Sequence, residues 1–218
     1  HGVLEESIDV AWVPGAFDEG ANVTFLTNSQ MGKKESLEDT AKVLGRFYDG
    51  IEFRGFKQQT VEDLAKYSGI PVWNGLTDFD HPTQALADML TVKENINKPY
   101  NKIKIVYSGD GRNNVANALL IICAKLGVNF TCISPSPLLP EKWLADDMKK
   151  IAGKHGGSVT LTTDAVKGAE GADVIYTDIW VSMGEEDKIK ERIDLLLPYQ
   201  VNMDMIKNAK NENVIFMH

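Results

Sequence analysis

The sequence predicts an α/β protein with two lobes, each built on a parallel β-sheet. Short apolar runs, which are typical of buried strands, alternate along the chain with stretches whose apolar residues recur at helical spacing. This alternation is typical of parallel sheets that are covered by helices on both faces. The 218 residues suffice for two modest cores, and Asn97-Lys98-Pro99 interrupts the pattern near the middle. We therefore expect one lobe at residues 1–97 and a second at residues 98–218.

The composition is that of an ordinary globular protein, with 43% apolar and 25% charged residues. The net charge of −8 carries no block of like charges, which argues against a nucleic-acid or anionic-membrane surface. No run reaches membrane-spanning length and the first residues lack a signal-peptide pattern, so a cytoplasmic location is expected. Cys123 and Cys132 fall in apolar stretches, which favours buried, reduced thiols over a disulfide or a metal site.

In the first lobe, the earliest predicted element is a strand over residues 22–26. Ser36 followed by Asp39 forms a capping box, which begins a helix whose apolar stripe runs to Tyr48. A later helix ends at Gly69, a residue that readily adopts the left-handed φ of a helix terminus. The predicted elements that follow the first helix are a strand at residues 51–54, the helix at 61–67 and a strand at 71–74.

The second lobe repeats the alternation of strand and helix. Its predicted strands are residues 103–107, 129–133, 158–161, 173–177 and 214–217. Its predicted helices are residues 114–126, 142–154, 165–169, 189–196 and 201–209. The carboxyl ends of such parallel strands are where α/β proteins place their binding residues.

Asp80-His81-Pro82-Thr83-Gln84 is the most informative motif of the first lobe. Pro82 has a φ suited to a first helical turn, so a helix is predicted to begin here and to run to residue 96. His81 and Gln84 then lie one turn apart at its start, where free N–H groups and the helix dipole favour an anion. An imidazole and a carboxamide there would polarise a carbonyl group and bind an amide nitrogen. The alternative is a helix start with a polar cap and no ligand.

Gly109-Asp110-Gly111 lies between a strand and a helix, as in dinucleotide-binding folds. That fingerprint needs a third small residue where this chain has Asn114, and an acidic residue where it has Ser134-Pro135, so nucleotide binding is disfavoured. The amides of Asn113 and Asn114 would instead bind a carboxylate or an amine at the helix start, or cap the helix without any ligand.

The loop from residue 176 to Gly184 follows another predicted strand. Asp178 places a carboxylate in the crevice beside the sheet, where it would bind an ammonium group, although aspartate at a strand end is commonly a turn residue. Ser182 and the backbone of Met183 would bind the rest of an amino acid. The apolar residues Trp180 and Met183 among polar groups predict a mobile lid.

Residues 16–218 resemble the ornithine branch of the aspartate/ornithine carbamoyltransferase family. His81-Pro82-Thr83-Gln84 is similar to a motif that marks carbamoyltransferases generally, and Ser182-Met183-Gly184 to a loop that separates ornithine enzymes from aspartate and putrescine relatives. The other matching stretches are residues 17–24, 29–36, 46–56, 109–114 and 178–184. The resemblance implies a carbamoyltransferase-like, two-lobed fold. It also implies transfer of the carbamoyl group of carbamoyl phosphate to the side-chain amine of ornithine, giving citrulline and phosphate.

The resemblance also implies roles for single residues. Arg54, His81 and Gln84 bind carbamoyl phosphate, with Arg54 and His81 catalytic at the carbonyl oxygen, where charge develops. Gln30 resembles a carbamoyl phosphate ligand that a neighbouring subunit supplies, which implies a homotrimer or a multiple of it. Ornithine is bound by four residues, of which the first is also catalytic: Asp178, Asn114, Ser182 and Met183. No metal, organic cofactor, nucleic acid or membrane is implied as a partner.

Two departures from the family pattern lead us to expect an incomplete enzyme. The family's phosphate clamp is Ser-Thr-Arg-Thr-Arg, where this chain has Glu5-Glu6-Ser7-Ile8-Asp9, and the family's His-Cys-Leu-Pro motif is represented only by His218. We expect residues 1–15 to be atypical, the first lobe to be incomplete and turnover by this chain to be slight. Two alternatives stay open: a non-catalytic amino-acid-binding or interaction protein with only the ornithine half-site, or a carbamoyltransferase for a different amine.

Overall fold

The structure is a computed structural model that describes residues 15–24, 26, 35–181 and 188–218. Three of the predicted site residues lie outside these ranges: Gln30, Ser182 and Met183. Most of the atypical first segment, residues 1–14, and residues 182–184 of the predicted lid also lie outside them.

The first lobe contains a small parallel sheet flanked by helices. Its elements are α1 Leu37–Phe47, β1 Ile51–Arg54, α2 Gln58–Ser68, β2 Val72–Leu76 and α3 Pro82–Asn95. The β1 and β2 strands pair in parallel, with Ile51 opposite Val72. The predicted capping box is confirmed, since Ser36 Oγ accepts a hydrogen bond from the Asp39 N–H at 3.1 Å. Gly69 ends α2 in the left-handed conformation, as predicted.

The strand predicted over residues 22–26 is wrong for the part of that stretch that the structure describes. Residues 22–24 and 26 have no strand assignment. Leu26 is 56% exposed, so its side chain does not face a core. An apolar alternation produces a strand only where a neighbouring strand pairs with its backbone and a core covers one face. Neither condition is met at these residues.

The second lobe is a five-stranded, fully parallel sheet with helices on both faces. Its elements are β3 Lys104–Ser108, α4 Asn114–Leu126, β4 Asn129–Ile133, α5 Lys142–Lys154, β5 Ser158–Thr162, α6 Ala165–Ala169, β6 Val174–Tyr176, α7 Ile189–Leu196, α8 Met203–Asn208 and β7 Ile215–Met217. The strand order is β5-β4-β3-β6-β7. Together with the first lobe, this confirms the predicted α/β class with parallel sheets.

Two cores cover the two faces of the larger sheet. The larger core contains strand residues such as Ile105 and Phe130 together with most of α4, and the smaller contains Val106, Ile133 and Ile175. Both cysteines are buried and unbonded, as predicted. Helix α3 is shared between the lobes, because its apolar side chains pack into the larger core of the second lobe. The start of α3 is therefore held in place by the second lobe as well as the first.

No helix in the described part of the chain is both long enough and apolar enough to cross a membrane.

Gly45 allows α1 and α2 to pack closely. A Cβ atom at this position would lie 1.9 Å from the Ser68 carbonyl oxygen. Because that oxygen belongs to the backbone, the helices must separate to admit even a methyl group. We expect Gly45→Ala to lower the free energy of unfolding by about 1–3 kcal/mol, the usual cost of overpacking.

Gly153→Ala is the matched control for this prediction, to be measured beside it by urea unfolding. Gly153 also lies in a helix, but a Cβ there meets nothing within 4 Å. Alanine should stabilise this position by about 0.5–1 kcal/mol through helix propensity. Equal effects of the two substitutions would show that the contact at Gly45 has been misjudged.

Candidate functional site

The site lies where the strand order of the larger sheet reverses. The chain leaves β3 towards β4 and β5 on one side, and places β6 and β7 on the other. Parallel sheets open a crevice at such a position, beside the carboxyl ends of the two diverging strands. The ends of β3 and β6 are joined by Thr177, whose Oγ1 donates to the Ser108 carbonyl oxygen at 2.8 Å. Asp178 follows directly and is brought to the crevice.

Asn113 and Asn114, at the start of α4, make different contacts. Asn113 caps the helix, because its Oδ1 accepts from the Ala116 N–H at 2.7 Å. Its Nδ2 donates to the Tyr107 hydroxyl at 2.9 Å and to Asp178 Oδ2 at 3.3 Å. Asn114 instead reaches the first lobe, where its Nδ2 donates to the Thr77 carbonyl oxygen at 2.7 Å. These contacts connect Asp178 to the loop that precedes His81.

Helix α3 begins where Pro82 predicts it, with His81 as the residue before the first turn. The His81 ring is 6% exposed, and its Nδ1 lies 3.4 Å from the Thr83 hydroxyl oxygen. Burial lowers the pKa of His81 to about 4, and the positive charge of Arg54, at the end of β1, acts in the same direction. His81 is therefore neutral near pH 7 and able to donate one N–H without carrying a charge.

Two carboxylates approach each other beyond His81. Gln84, one turn along α3, donates from Nε2 to Asp88 Oδ1 at 2.9 Å. Burial raises the pKa of the Asp88 carboxyl, and the negative charge of Asp178 raises it further. Burial also raises the pKa of Asp178, which the Ile179 N–H and the His218 imidazole lower in part. The crevice thus contains two desolvated acids that would gain from a cation between them.

The predicted site residues in the described ranges form one continuous group. Electrostatic interaction joins Arg54 to His81, and Gln84 lies on the same helix start. Asn114 and Asp178 join that start through the contacts given above. Gln30, Ser182 and Met183 lie outside the described residues, so their placement stays a prediction.

Sequence reasoning missed Asp88 and Tyr176. Tyr176, on β6, faces the Asp88 carboxyl, and burial together with both nearby carboxylates raises the pKa of its hydroxyl. A pattern in the sequence could have indicated Asp88, because it lies among the buried apolar positions of α3, between Ala85 and Met89. An acid on the buried stripe of a helix needs a specific partner.

Among the residues that the structure describes, no three His, Cys, Asp or Glu side chains are grouped so that they could hold a metal ion. A cavity of about 350 Å³ lies elsewhere, against β3, β4 and β5, and includes none of the site residues. The polar side chains that the structure describes in the crevice are a neutral imidazole, three amides (Gln84, Asn113 and Asn114), a guanidinium and two acids.

Two family models together match almost the whole chain. The model described as the carbamoyl-P binding domain of aspartate/ornithine carbamoyltransferase matches residues 9–94, and that of the Asp/Orn binding domain matches residues 101–218. The chain belongs to the aspartate/ornithine carbamoyltransferase family. Both halves of the family architecture are represented, and the crevice described above lies where they meet.

Individual relatives agree with this assignment. The chain is 56% identical over 205 residues to a catabolic ornithine carbamoyltransferase of Clostridium perfringens strain 13, a match that covers 94% of this chain and 62% of the relative. It is 58% identical over 211 residues to an ornithine carbamoyltransferase of Staphylococcus aureus strain Mu50, covering 95% and 63%. The chain thus spans a little over three fifths of the length of these relatives.

Solved structures show the same fold. The ornithine carbamoyltransferase of Pyrococcus furiosus superposes with a TM-score of 0.91 at 40% identity, covering 97% of this chain and 67% of that one. The anabolic enzyme of Campylobacter jejuni subsp. jejuni superposes with a TM-score of 0.88 at 31% identity, covering 96% and 69%. These superpositions confirm the carbamoyltransferase two-lobed fold that the resemblance implied.

The buried His81 makes the stability of this family member depend on pH. Its pKa is about 4 in the folded chain and near 6.5 when unfolded, so the unfolded chain binds a proton first as pH falls. Stability is therefore retained above pH 6.5 and lost between about 6.5 and 4, by up to about 3 kcal/mol at 1.36 kcal/mol per pKa unit.

We expect His81→Gln to remove this part of the pH slope, as measured by urea unfolding between pH 7 and pH 4. The buried Asp88 and the half-buried Asp80 and Asp178 have raised pKa values and act in the opposite direction, but they are common to both proteins. The difference between the two curves therefore isolates His81. His155→Gln, which changes an imidazole at the exposed end of α5, is the control. Parallel curves for native chain and His81→Gln would contradict the prediction.

Proposed function

We propose that this chain provides the carbamoyl-transfer site of an ornithine carbamoyltransferase, which moves the carbamoyl group of carbamoyl phosphate to the side-chain amine of L-ornithine. The observation that carries the proposal is the bond from Asn114 to the Thr77 carbonyl oxygen. It joins the region matched by the carbamoyl-P binding model to the region matched by the Asp/Orn binding model. A reaction between two bound substrates needs both regions at one crevice.

Carbamoyl phosphate would bind at the start of α3. The neutral His81 would donate an N–H to the carbonyl oxygen, and the Arg54 guanidinium would offset the negative charge that develops there during attack. Gln84 would accept a hydrogen bond from the carbamoyl NH₂ group. The free N–H groups of the first helical turn favour the anionic phosphate.

Ornithine would bind in the second lobe, with its side-chain ammonium group at Asp178 and its remaining polar groups at Asn114, Ser182 and Met183. An alkylammonium titrates near pH 10.4, so ornithine arrives charged and must lose a proton before it attacks. The desolvated Asp178 carboxyl, whose pKa is raised, is suited to hold that proton. The amine nitrogen then forms a bond to the carbamoyl carbon, the bond from that carbon to the phosphate oxygen breaks, and phosphate leaves with the second proton of that nitrogen.

The proposal includes the setting in which the site works. We place the lobe boundary between residues 97 and 98, in the segment that separates the two family matches. Gln30 would complete the carbamoyl phosphate site of a neighbouring subunit in a homotrimer or a multiple of it. A cytoplasmic location is consistent with the acidic, evenly charged composition.

The test combines a binding titration with an activity assay. L-Ornithine is titrated calorimetrically into this chain, and citrulline formation is measured with carbamoyl phosphate present. The same assay is run on a version extended at both ends with the corresponding segments of the C. perfringens relative. We expect ornithine binding by the chain and citrulline from the extended version. A folded extended version that binds ornithine but forms no citrulline would favour the alternative of a non-catalytic amino-acid-binding protein. A carbamoylated product from another amine, with none from ornithine, would favour a carbamoyltransferase for a different amine.

A further inference from the structure

Gln84 and Asp88 form a pair on the buried side of α3, four residues apart and so one turn from each other. The Nε2 of Gln84 donates to Asp88 Oδ1 at 2.9 Å. Asp88 is 5% exposed, whereas Gln84 is half-buried. The Oε1 of Gln84 accepts no hydrogen bond from any residue that the structure describes. This atom is also not enclosed, since it is absent from the fully buried polar atoms without a partner. This oxygen is therefore available to a ligand.

The pair has a direction that follows from its chemistry. An ionised carboxylate can only accept hydrogen bonds, whereas an amide has a donating end and an accepting end. The Asp88 carboxylate must therefore face the NH₂ end of Gln84, which turns the carbonyl end away from it. Without such a partner the two orientations of a half-buried amide differ little in energy, and a ligand would meet either end.

We propose that Asp88 is a positioning residue, which turns the carbonyl oxygen of Gln84 towards the crevice and so makes the site select a ligand with an N–H donor at that point. The inference rests on the proposed function in one respect: it identifies that donor as the NH₂ group of carbamoyl phosphate. Acetyl phosphate has a methyl group in its place and offers Gln84 nothing to accept. Asp88 thereby contributes to substrate selection without touching the substrate.

Asp88 is held in an environment that disfavours its charge. Its Oδ2 has no hydrogen-bond partner among the described residues, although the Tyr176 hydroxyl faces the carboxyl. Asp178 adds a second negative charge, and Cys123 is the other titratable group that interacts with it. Burial raises the pKa of Asp88, so acid neutralises it earlier than an exposed aspartate. A neutral Asp88 can donate to Gln84 Oε1, which would reverse the amide.

The first experiment observes the amide directly and needs no ligand. The side-chain NH₂ signals of Gln84 are recorded by NMR on the ¹⁵N-labelled 218-residue chain, and are assigned by their loss in Gln84→Ala. We expect them to shift as Asp88 titrates, and this shift to be absent in Asp88→Asn. In Asp178→Asn the shift should persist with a lower midpoint, because a repelling charge has gone. If the Gln84 NH₂ signals of the native chain did not shift with pH, the inference would be overturned, whether or not Asp88→Asn folds.

The second experiment measures selection. Dissociation constants of carbamoyl phosphate and acetyl phosphate are measured for the native chain, and we expect a ratio of about ten in favour of carbamoyl phosphate, since one hydrogen bond differs. Asp88→Asn allows both orientations of Gln84 and should reduce the ratio severalfold. In a Gln84→Ala background the same substitution should leave the ratio unchanged, because Asp88 acts through Gln84. A purely structural role would change both backgrounds alike, and that result would overturn the inference.

The two experiments separate failure of the inference from failure of the proposed function. Equal affinity for the two phosphates in the native chain overturns selection by Gln84, while carbamoyl phosphate binding still supports the proposed function. If the Gln84 NH₂ signals shift with pH but the chain binds neither phosphate, the orientation of Gln84 by Asp88 is supported and the proposed carbamoyl phosphate site is overturned.

Discussion

Asp178→Asn is expected to weaken L-ornithine binding to this chain by about ten- to a hundredfold, since a hydrogen bond between charged groups contributes about 1.5–3 kcal/mol. The carboxylate is half-buried just after β6 and accepts a hydrogen bond from Asn113, whose Nδ2 lies 3.3 Å from its Oδ2. Asparagine preserves the size of the side chain but has no charge to offer an ammonium group. Because the pKa of Asp178 is raised, native affinity should also increase as pH rises through its titration, and this dependence should disappear in the variant.

The measurement is calorimetric titration of both proteins with L-ornithine across the acid side of neutrality. Asp204→Asn is the matched control, because it removes the same charge from a side chain that is 87% exposed on α8. The control should bind like the native chain. If Asp178→Asn bound ornithine with native affinity at every pH, Asp178 would have no part in the site.

Arg192→Met is expected to lower the free energy of unfolding by about 3–5 kcal/mol, the usual effect of breaking a buried ion pair on one side. Arg192 Nη1 lies 3.2 Å from Asp110 Oδ2, and the two side chains are only 9% and 6% exposed. The pair ties α7 to the turn between β3 and α4. Its loss would leave the Asp110 carboxylate buried without the Arg192 guanidinium, beside the residues that shape the crevice.

Thermal and urea unfolding measure this effect, which corresponds to a fall in melting temperature of about 10 °C for a chain of this length. Lys142→Met is the control, because Lys142 pairs with Asp146 on an exposed helix surface and is itself 88% exposed. Such a pair contributes at most about 1 kcal/mol. The double variant Asp110→Asn with Arg192→Met should be less destabilised than Arg192→Met alone, because it no longer buries a carboxylate from which the Arg192 guanidinium has been removed. A double variant as unstable as the sum of the single ones would indicate that the pair does not act as a pair.

Local sequence determined most of the secondary structure. The helix α4, the strand β4, and the helices α5, α6 and α7 have the bounds that the apolar pattern predicts. These elements have residues that clearly mark their ends, such as the capping residues Asn113 before α4 and Gly127 after it, and they pack against a complete sheet. Residues 22–24 and 26, the described part of the predicted strand, have neither a strand partner nor a place in a core, so the same reasoning failed there.

The sequence also indicated which polar groups reach the crevice, because His81-Pro82-Thr83-Gln84 lies at a helix start and Asp178 follows a strand end. The sequence also indicated that Gly109 lies between a strand and a helix. It did not indicate which groups Asn113 and Asn114 contact. Asn113 and Asn114 are adjacent in the chain, and no sequence pattern indicates that one binds Asp178 and the other the Thr77 carbonyl oxygen.

Only the tertiary structure decided how these groups act on one another. The low pKa of His81, at the start of α3, arises from burial and from Arg54, which lies at the end of β1. The role inferred for Asp88 depends on β6, which brings Tyr176 and Asp178 close to α3 from the other lobe. Burial and long-range electrostatics depend on which segments pack together, and that is set by the whole fold rather than by neighbours in the chain. The sequence by itself thus indicated the polar groups of the crevice apart from Asp88 and Tyr176, while packing between the lobes decided their charge and orientation.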